Sequence, residues 1–356
     1  MKIDPAEAPP PPLSRTAMLL RLAGIGATLA LLGGGFAYAA GWLAPGRLSP
    51  DRIIHALTPP GVDPTGHRRN HAKGICFTGT FEASGAGTRL STAPMLAAGR
   101  YPVTGRFAIA TPNSGAPDAS GRVRSMAIRI TAPDGQEWRT GMNSMPVFPF
   151  STPEAFYGQL EAARVDPTTG RPDPQAMPRF FASHPEAAPF LAWAGSAPWT
   201  LSYADQGYNS LNAFLFTDAS GATRAVRWSM EATIEPTPVP QQELAAHGPD
   251  FLSADLTTRL RSGPLRWRLV ATVAAPGDPV DDPTKTWPAG REQVELGTLT
   301  VEQDQPEANG PCRDINYDPL VLPSGMAPSA DRILLARSPA YANSFRRREA
   351  EQGGGP

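Results

Sequence analysis

The sequence predicts an α+β domain whose antiparallel sheet is closed or strongly curved, preceded by one N-terminal helix of membrane-spanning length. Three observations carry that expectation. Seven segments alternate apolar and polar residues, the period of a half-buried strand. Turn chemistry separates several of them, as at Asn113-Ser114-Gly115, Pro133-Asp134-Gly135 and Asp218-Ala219-Ser220-Gly221. An uncharged apolar run stands alone near the N-terminus, at residues 22–46. The chain has 356 residues with 41 Pro and 34 Gly, which suits a loop-rich fold of short elements. Lys+Arg 32 against Asp+Glu 33 leaves no basic surplus, and this excludes an ordinary nucleic-acid binder.

Residues 1–21 read as a Pro-rich cytoplasmic leader carrying Lys2, Arg15 and Arg21. Residues 22–46 then supply 25 uncharged positions, and about 20 apolar residues span a bilayer core. Positive residues stay on the cytoplasmic side, so the bulk of the chain is expected outside. Ala37-Tyr38-Ala39 also resembles a small-residue cleavage site, so a cleaved secretory signal is the second reading. Either way the folded part is exported. It is expected in the periplasm, anchored to the inner membrane or released from it.

Residues 51–348 form the expected folded domain. Its strand-like segments are 75–81, 106–110, 125–130, 213–216, 225–231, 265–273 and 294–301. Helical stretches are 153–163, 178–183, a piece around 243–246, and 329–351. The polar, Gly-rich residues 349–356 close the chain as an expected disordered tail. Cys76 and Cys312 are too few for a disulfide framework or a zinc site alone; export permits them to pair, and two buried free thiols fit as well.

Three clusters could carry chemistry. His71 opens the run leading into 75–81, and unbroken alternation would put it on a face with Ile75, Phe77 and Phe81. A histidine there is either a satisfied core residue or a general acid/base, since imidazole titrates near ~6.5. Arg68 and Arg69 before it suit an anionic ligand group or a solvated loop. In 141–148, Asn143 is either a turn residue or an amide donor in an aromatic pocket formed with Phe148, Phe150 and Phe156. In the last helix, Arg337, Tyr341 and Arg348 share one stripe at i, i+4 and i+11. They read as a basic helix end, or as a cation holding a phenol as phenolate, an oxygen ligand for ferric iron. Pro339 between them should kink the helix.

In order along the chain these segments resemble the haem catalase family, in particular its shorter catalase-related peroxidases. The family's Arg-x-x-His-Ala-x-Gly is met by Arg68-Arg69-Asn70-His71-Ala72-Lys73-Gly74, and its Arg-Phe strand by Arg106-Phe107. Its Gly-x-Asn-x-x-Pro-x-Phe is met by residues 141–148, and its proximal Arg-x-x-x-Tyr-x-x-x-x-Arg-x-Arg by Arg337, Tyr341, Arg346 and Arg348. Residues 282–288 and 316–319 resemble further family segments, so the likeness covers about 51–348.

The resemblance implies a catalase-like fold, a closed antiparallel β-barrel with added helices, and a haem b cofactor. It implies Tyr341 as axial ligand, kept ionised by Arg337, with Arg68, Arg106 and Arg348 facing the propionates. His71 would move the peroxide proton and Asn143 would hydrogen-bond the peroxide, leading to a ferryl haem intermediate. Phe148 and Phe156 match aromatic positions over the haem and its channel.

Departures from the family pattern shape the expected activity. Catalases carry a serine two residues after the strand arginine, bonded to the distal histidine; this chain has Ala108 there. A histidine that longer members place near a nicotinamide nucleotide falls on Leu211, so no NADPH is expected. The chain stops soon after the proximal helix, and a more open pocket would admit organic peroxides and bulkier donors. The expectation is a peroxidase using a small-molecule electron donor, with minor or no catalase activity, possible as a homodimer. The rivals are an allene oxide synthase-like rearrangement of hydroperoxides and a non-catalytic anchored haem-binding protein.

Overall fold

A computed structural model describes residues 14–39, 43, 47–166 and 168–353. Packing divides the chain into two units, Met1–Ser49 and Pro50–Pro356. The first holds helix α1, Arg15–Ala39, of which Arg15–Tyr38 is long and apolar enough to cross a membrane. Arg15 and Arg21 lie within this helix, so it starts before the predicted boundary at 22. The rest of the expected leader, 1–13, and positions 40–42 and 44–46 of the expected span lie outside the described residues.

The second unit begins with α2 (Pro50–Ala56), followed by β1 (Gly74–Ala83), β2 (Gly99–Ile109), β3 (Arg124–Thr131) and β4 (Glu137–Asn143). Helices α3 (Pro153–Ala162), α4 (Ala176–Ala182) and α5 (Ala188–Ser196) form an insertion. Then come β5 (Tyr208–Asn209), β6 (Phe214–Thr217), β7 (Thr223–Ala232), α6 (Phe251–Ser262), β8 (Leu265–Val273) and β9 (Gln293–Pro306). The short β10 (Met326–Pro328) leads to α7 (Arg332–Gly353).

Among the described residues, eight strands close a ring in the order β1-β2-β3-β4-β5-β7-β8-β9, every pairing antiparallel. Strand parity explains what each wall faces. Phe77, Val103, Phe107, Met126, Ile128, Trp138 and Met142 point inward and are nearly or fully buried. The alternate positions Arg106, Ala108, Ser125, Gly141 and Asn143 point outward from adjacent strands. The apolar core therefore fills the barrel, and polar chemistry collects on its outside. Gly105 is required where it stands, because a Cβ there would lie 2.1 Å from the Phe77 ring.

Cys76 and Cys312 are joined, with Cα atoms 5.3 Å apart across 236 residues of sequence. The bond ties the outer face of β1 to the segment after β9. Replacing both cysteines with serine should destabilise the domain by about 2–4 kcal/mol, because a long loop is released in the unfolded chain. Denaturant midpoints under non-reducing conditions check this.

Helix α7 continues through Gly353, so 349–353 are helical rather than part of an unstructured tail; 354–356 lie outside the described residues. The cause is a charge pair. Glu351 meets Arg69, which is 3% exposed, and accepts Gly66 N–H at 2.9 Å. The helix is also unbroken across Pro339.

Candidate active site

A cavity of about 220 Å³, partly open to solvent, lies between the outer face of β2–β4 and helices α2 and α7. His71, Asn143, Arg68, Arg106, Phe148, Phe156, Arg337, Tyr341 and Arg348 all line it. The residues singled out from sequence are thus brought together at one place.

One wall carries His71, and its setting corrects the strand reading. β1 starts at Gly74, and His71 sits in the loop before it with φ +54. That left-handed conformation is costly for a residue with a Cβ. It is held locally: Asn70 Oδ1 accepts the His71 N–H at 2.9 Å, and Ala72 N–H donates to Thr111 O at 2.8 Å. The bend breaks alternation, so Ile75, Phe77 and Phe81 fill the barrel while the imidazole faces the cavity.

The hydroxyl expected to be missing beside this imidazole is present. Ser125 Oγ lies 2.9 Å from His71 Nδ1 and donates to Asn143 Oδ1 at 2.5 Å. In the ladder Ser125 is the partner of Ala108 on one side and of Asn143 on the other. Ala108 lacks the hydroxyl, and the neighbouring strand supplies it. Burial, followed by the charges of Arg106, Arg337 and Arg68, lowers the His71 pKa to about 3. The ring is neutral at physiological pH.

The facing wall is α7. Arg337 Nη2 donates to Tyr341 Oη at 3.2 Å and to Gly141 O at 3.0 Å, and Nη1 donates to Asn212 Oδ1 at 2.8 Å. Asn212 is itself fixed by Asp331, to whose Oδ2 it donates at 2.6 Å. Sequence reading did not find Asn212; only the fold brings it to α7. Gly141 permits the close approach of helix to barrel, since a Cβ there would stand 3.1 Å from Arg337 Nη2.

A cationic edge joins the walls. Arg68 donates to the carbonyls of Cys312 at 3.1 Å and Ile315 at 2.8 Å, so the disulfide-tied segment holds it. Glu307, also unforeseen, pairs with Arg68 and accepts from Arg106 Nη2 at 2.5 Å. Burial opposes ionisation of Glu307, but Arg106 and Arg68 outweigh it and its pKa falls. Burial and then Arg106 pull the Arg68 pKa down to about 9, with Arg348 adding to the effect. Three guanidiniums crowd here, with Glu307 as their shared carboxylate, and among the described residues Arg106 Nε has no hydrogen-bond partner. Such an edge fits an anionic ligand.

Apolar groups close the rest. Phe148 and Phe156 pack with ring centres 5.8 Å apart, and Ile53 and Ile54 of α2 line the cavity with Leu57. Leu211 borders it with φ +66, another strained backbone position. The residues fit the haem that the sequence resemblance implies: a phenol oxygen backed by a guanidinium, a cationic edge for carboxylates, and apolar side chains between them.

Comparison with known proteins agrees. The family model described as Catalase matches residues 64–352. The chain is 36% identical over 308 residues to a catalase-related peroxidase of Synechococcus elongatus, covering 86% of this chain and 91% of that one. A catalase-related peroxidase of Mycolicibacterium paratuberculosis is 32% identical over 306 residues, 85% of this chain and 96% of that one. A fungal catalase structure superposes with TM-score 0.72 at 20% identity, covering 79% of this chain and 59% of that one. Catalase A from Saccharomyces cerevisiae gives TM-score 0.72 at 20% identity, with 79% and 61% covered. The chain spans about three fifths of those two structures, which share its fold. The chain belongs to the catalase family of oxidoreductases that act on peroxide.

Proposed function

We propose that this protein is a haem b peroxidase that reduces organic hydroperoxides and hydrogen peroxide with electrons from a small-molecule donor, dismutating hydrogen peroxide little. The observation that carries this reading is one cavity with the His71–Ser125–Asn143 cluster on one wall and Arg337–Tyr341 on the other. Tyr341 would hold the iron and Arg68, Arg106 and Arg348 the carboxylates; the bound group supplies the electrons that split the O–O bond.

The chain's own residues do the rest. His71, neutral and with Nε2 not engaged by Ser125, takes the hydroperoxide proton and returns it to the departing oxygen. Asn143, its carbonyl oxygen held by Ser125, keeps its amide N–H for the peroxide. Phe148, Phe156, Ile53 and Ile54 offer apolar contact to an organic hydroperoxide. A passive haem carrier would have no use for the distal pair.

Loaded protein should oxidise a phenolic donor with cumene hydroperoxide and release little oxygen from hydrogen peroxide. Rapid oxygen release with no donor oxidation would refute the assignment. The apolar lining and membrane-length helix also suit rearrangement of a lipid hydroperoxide. Product analysis without donor distinguishes it, since a peroxidase then stalls while an isomerase turns over.

The helix Arg15–Tyr38 supports an inner-membrane anchor, and the Cys76–Cys312 bond suits a domain in the oxidising periplasm. Full-length protein should stay in salt-washed membranes, with the domain reached by protease once the outer membrane is opened. Recovery as a soluble periplasmic protein would instead identify a cleaved signal.

A further inference from the structure

Ser125 touches both polar groups of the distal wall with one oxygen, 2.9 Å from His71 Nδ1 and 2.5 Å from Asn143 Oδ1. Its residue is 8% exposed, and ladder partners on β2 and β4 fix its backbone. A hydroxyl has one proton to donate, and an amide oxygen only accepts. With that proton on Asn143, the hydroxyl can only accept from His71, so Nδ1 must carry a hydrogen. The ring's lone pair is then left on Nε2. We infer that Ser125 is the positioning residue of the distal wall, setting the His71 tautomer and the Asn143 amide orientation through a single hydroxyl. The inference rests on the reading of His71 as the acid–base group, but the tautomer itself belongs to the haem-free chain.

The argument turns on two ambiguities broken at once. An imidazole has two neutral tautomers and an amide two flips, and neither backbone position selects between them. Without the hydroxyl, Asn143 is free to turn its oxygen toward the cavity, where it would repel a peroxide oxygen. The imidazole would revert to the Nε2–H form that prevails in water, which hides the base. Ala108 lies directly across the ladder, and paired residues have Cβ atoms about 4.5–5.5 Å apart. A serine at 108 therefore approaches the same Nδ1. It should add little while Ser125 is present, and it should partly replace Ser125 when Ser125 is removed.

The test uses ¹⁵N imidazole NMR of haem-free protein at neutral pH, with peroxide kinetics of the loaded protein beside it. Wild type and Ser125→Thr should show His71 protonated on Nδ1, and Ser125→Ala should shift the proton to Nε2. Ser125→Ala should slow reaction with hydrogen peroxide by about 10–100-fold at unchanged haem affinity. Threonine at 125, or Ala108→Ser added to Ser125→Ala, should recover rate, which loss of packing alone would not allow. A wild-type proton on Nε2 overturns the inference. So does a Ser125→Ala variant that keeps both its tautomer and its rate. If the peroxidase reading alone were wrong, the tautomer shift would persist while every variant failed to react with peroxide.

Discussion

Tyr341→Phe should cost the protein its haem or visibly shift the ferric Soret spectrum. The substitution deletes the oxygen that faces the cavity from α7 and touches Arg337 at 3.2 Å. Losing even an outer partner of a metal ligand typically costs about 10–100-fold in affinity or activity, and a direct ligand should cost at least that. The haem-free fold should survive, because Arg337 keeps its bonds to Gly141 and Asn212 and the ring still packs. Melting temperatures of the haem-free proteins should therefore stay close while haem titrations diverge. Full occupancy with an unchanged spectrum would remove Tyr341 from the account.

His71→Ala should leave haem bound and slow reaction with peroxide by about 10²–10⁴-fold, the usual worth of a positioned acid–base group. Asn143→Ala should cost less, since it removes one donor and leaves the proton shuttle. The pH dependence follows from the environment of the ring. Burial and the nearby arginines hold the His71 pKa at about 3, so the base form persists well below neutrality. The wild-type rate should stay flat from neutral pH down to roughly pH 4, where an unperturbed histidine would already have lost it near ~6.5. Stability has the same sign. The unfolded chain binds this proton below ~6.5 and the folded chain does not until about pH 3, so folding weakens as pH falls through that window. Stopped-flow rates across pH, and acid titration of His71→Ala against wild type, check both statements.

Strands with clean parity were legible, and those interrupted by turn chemistry were not. Met126, Ile128 and Ile130 alternate in β3, and Leu265, Trp267 and Leu269 alternate in β8, as the inner wall of a barrel requires. β4 was hidden because its inner face includes Thr140, which accepts from Trp228 Nε1 at 3.2 Å, and because Gly141 and Asn143 look like a turn. Helices α2 and α5 were hidden by short length or by Pro and Gly, and α2 supplies a cavity wall; α6 has twelve residues with neither Pro nor Gly, and Leu252, Leu256 and Leu260 recur in it at helical spacing. The nine candidate residues that line the cavity stand out through ordered family motifs rather than through periodicity. Unbroken periodicity misplaces His71, since a left-handed residue resets the alternation. Ser125 lies 54 residues from His71, and Glu307 lies 201 from Arg106; only strand register and the closed loop after β9 bring them in. Glu351 looked like a solvated tail residue until Arg69 met it.

The most direct measurement mixes haem-loaded wild-type protein with one equivalent of cumene hydroperoxide, then with a phenolic donor, while the Soret band is followed. The account predicts a fast spectral change on peroxide addition and a return to the starting spectrum as the donor is oxidised. A Soret band unmoved by hydroperoxide, or one that returns without any donor being consumed, would contradict it.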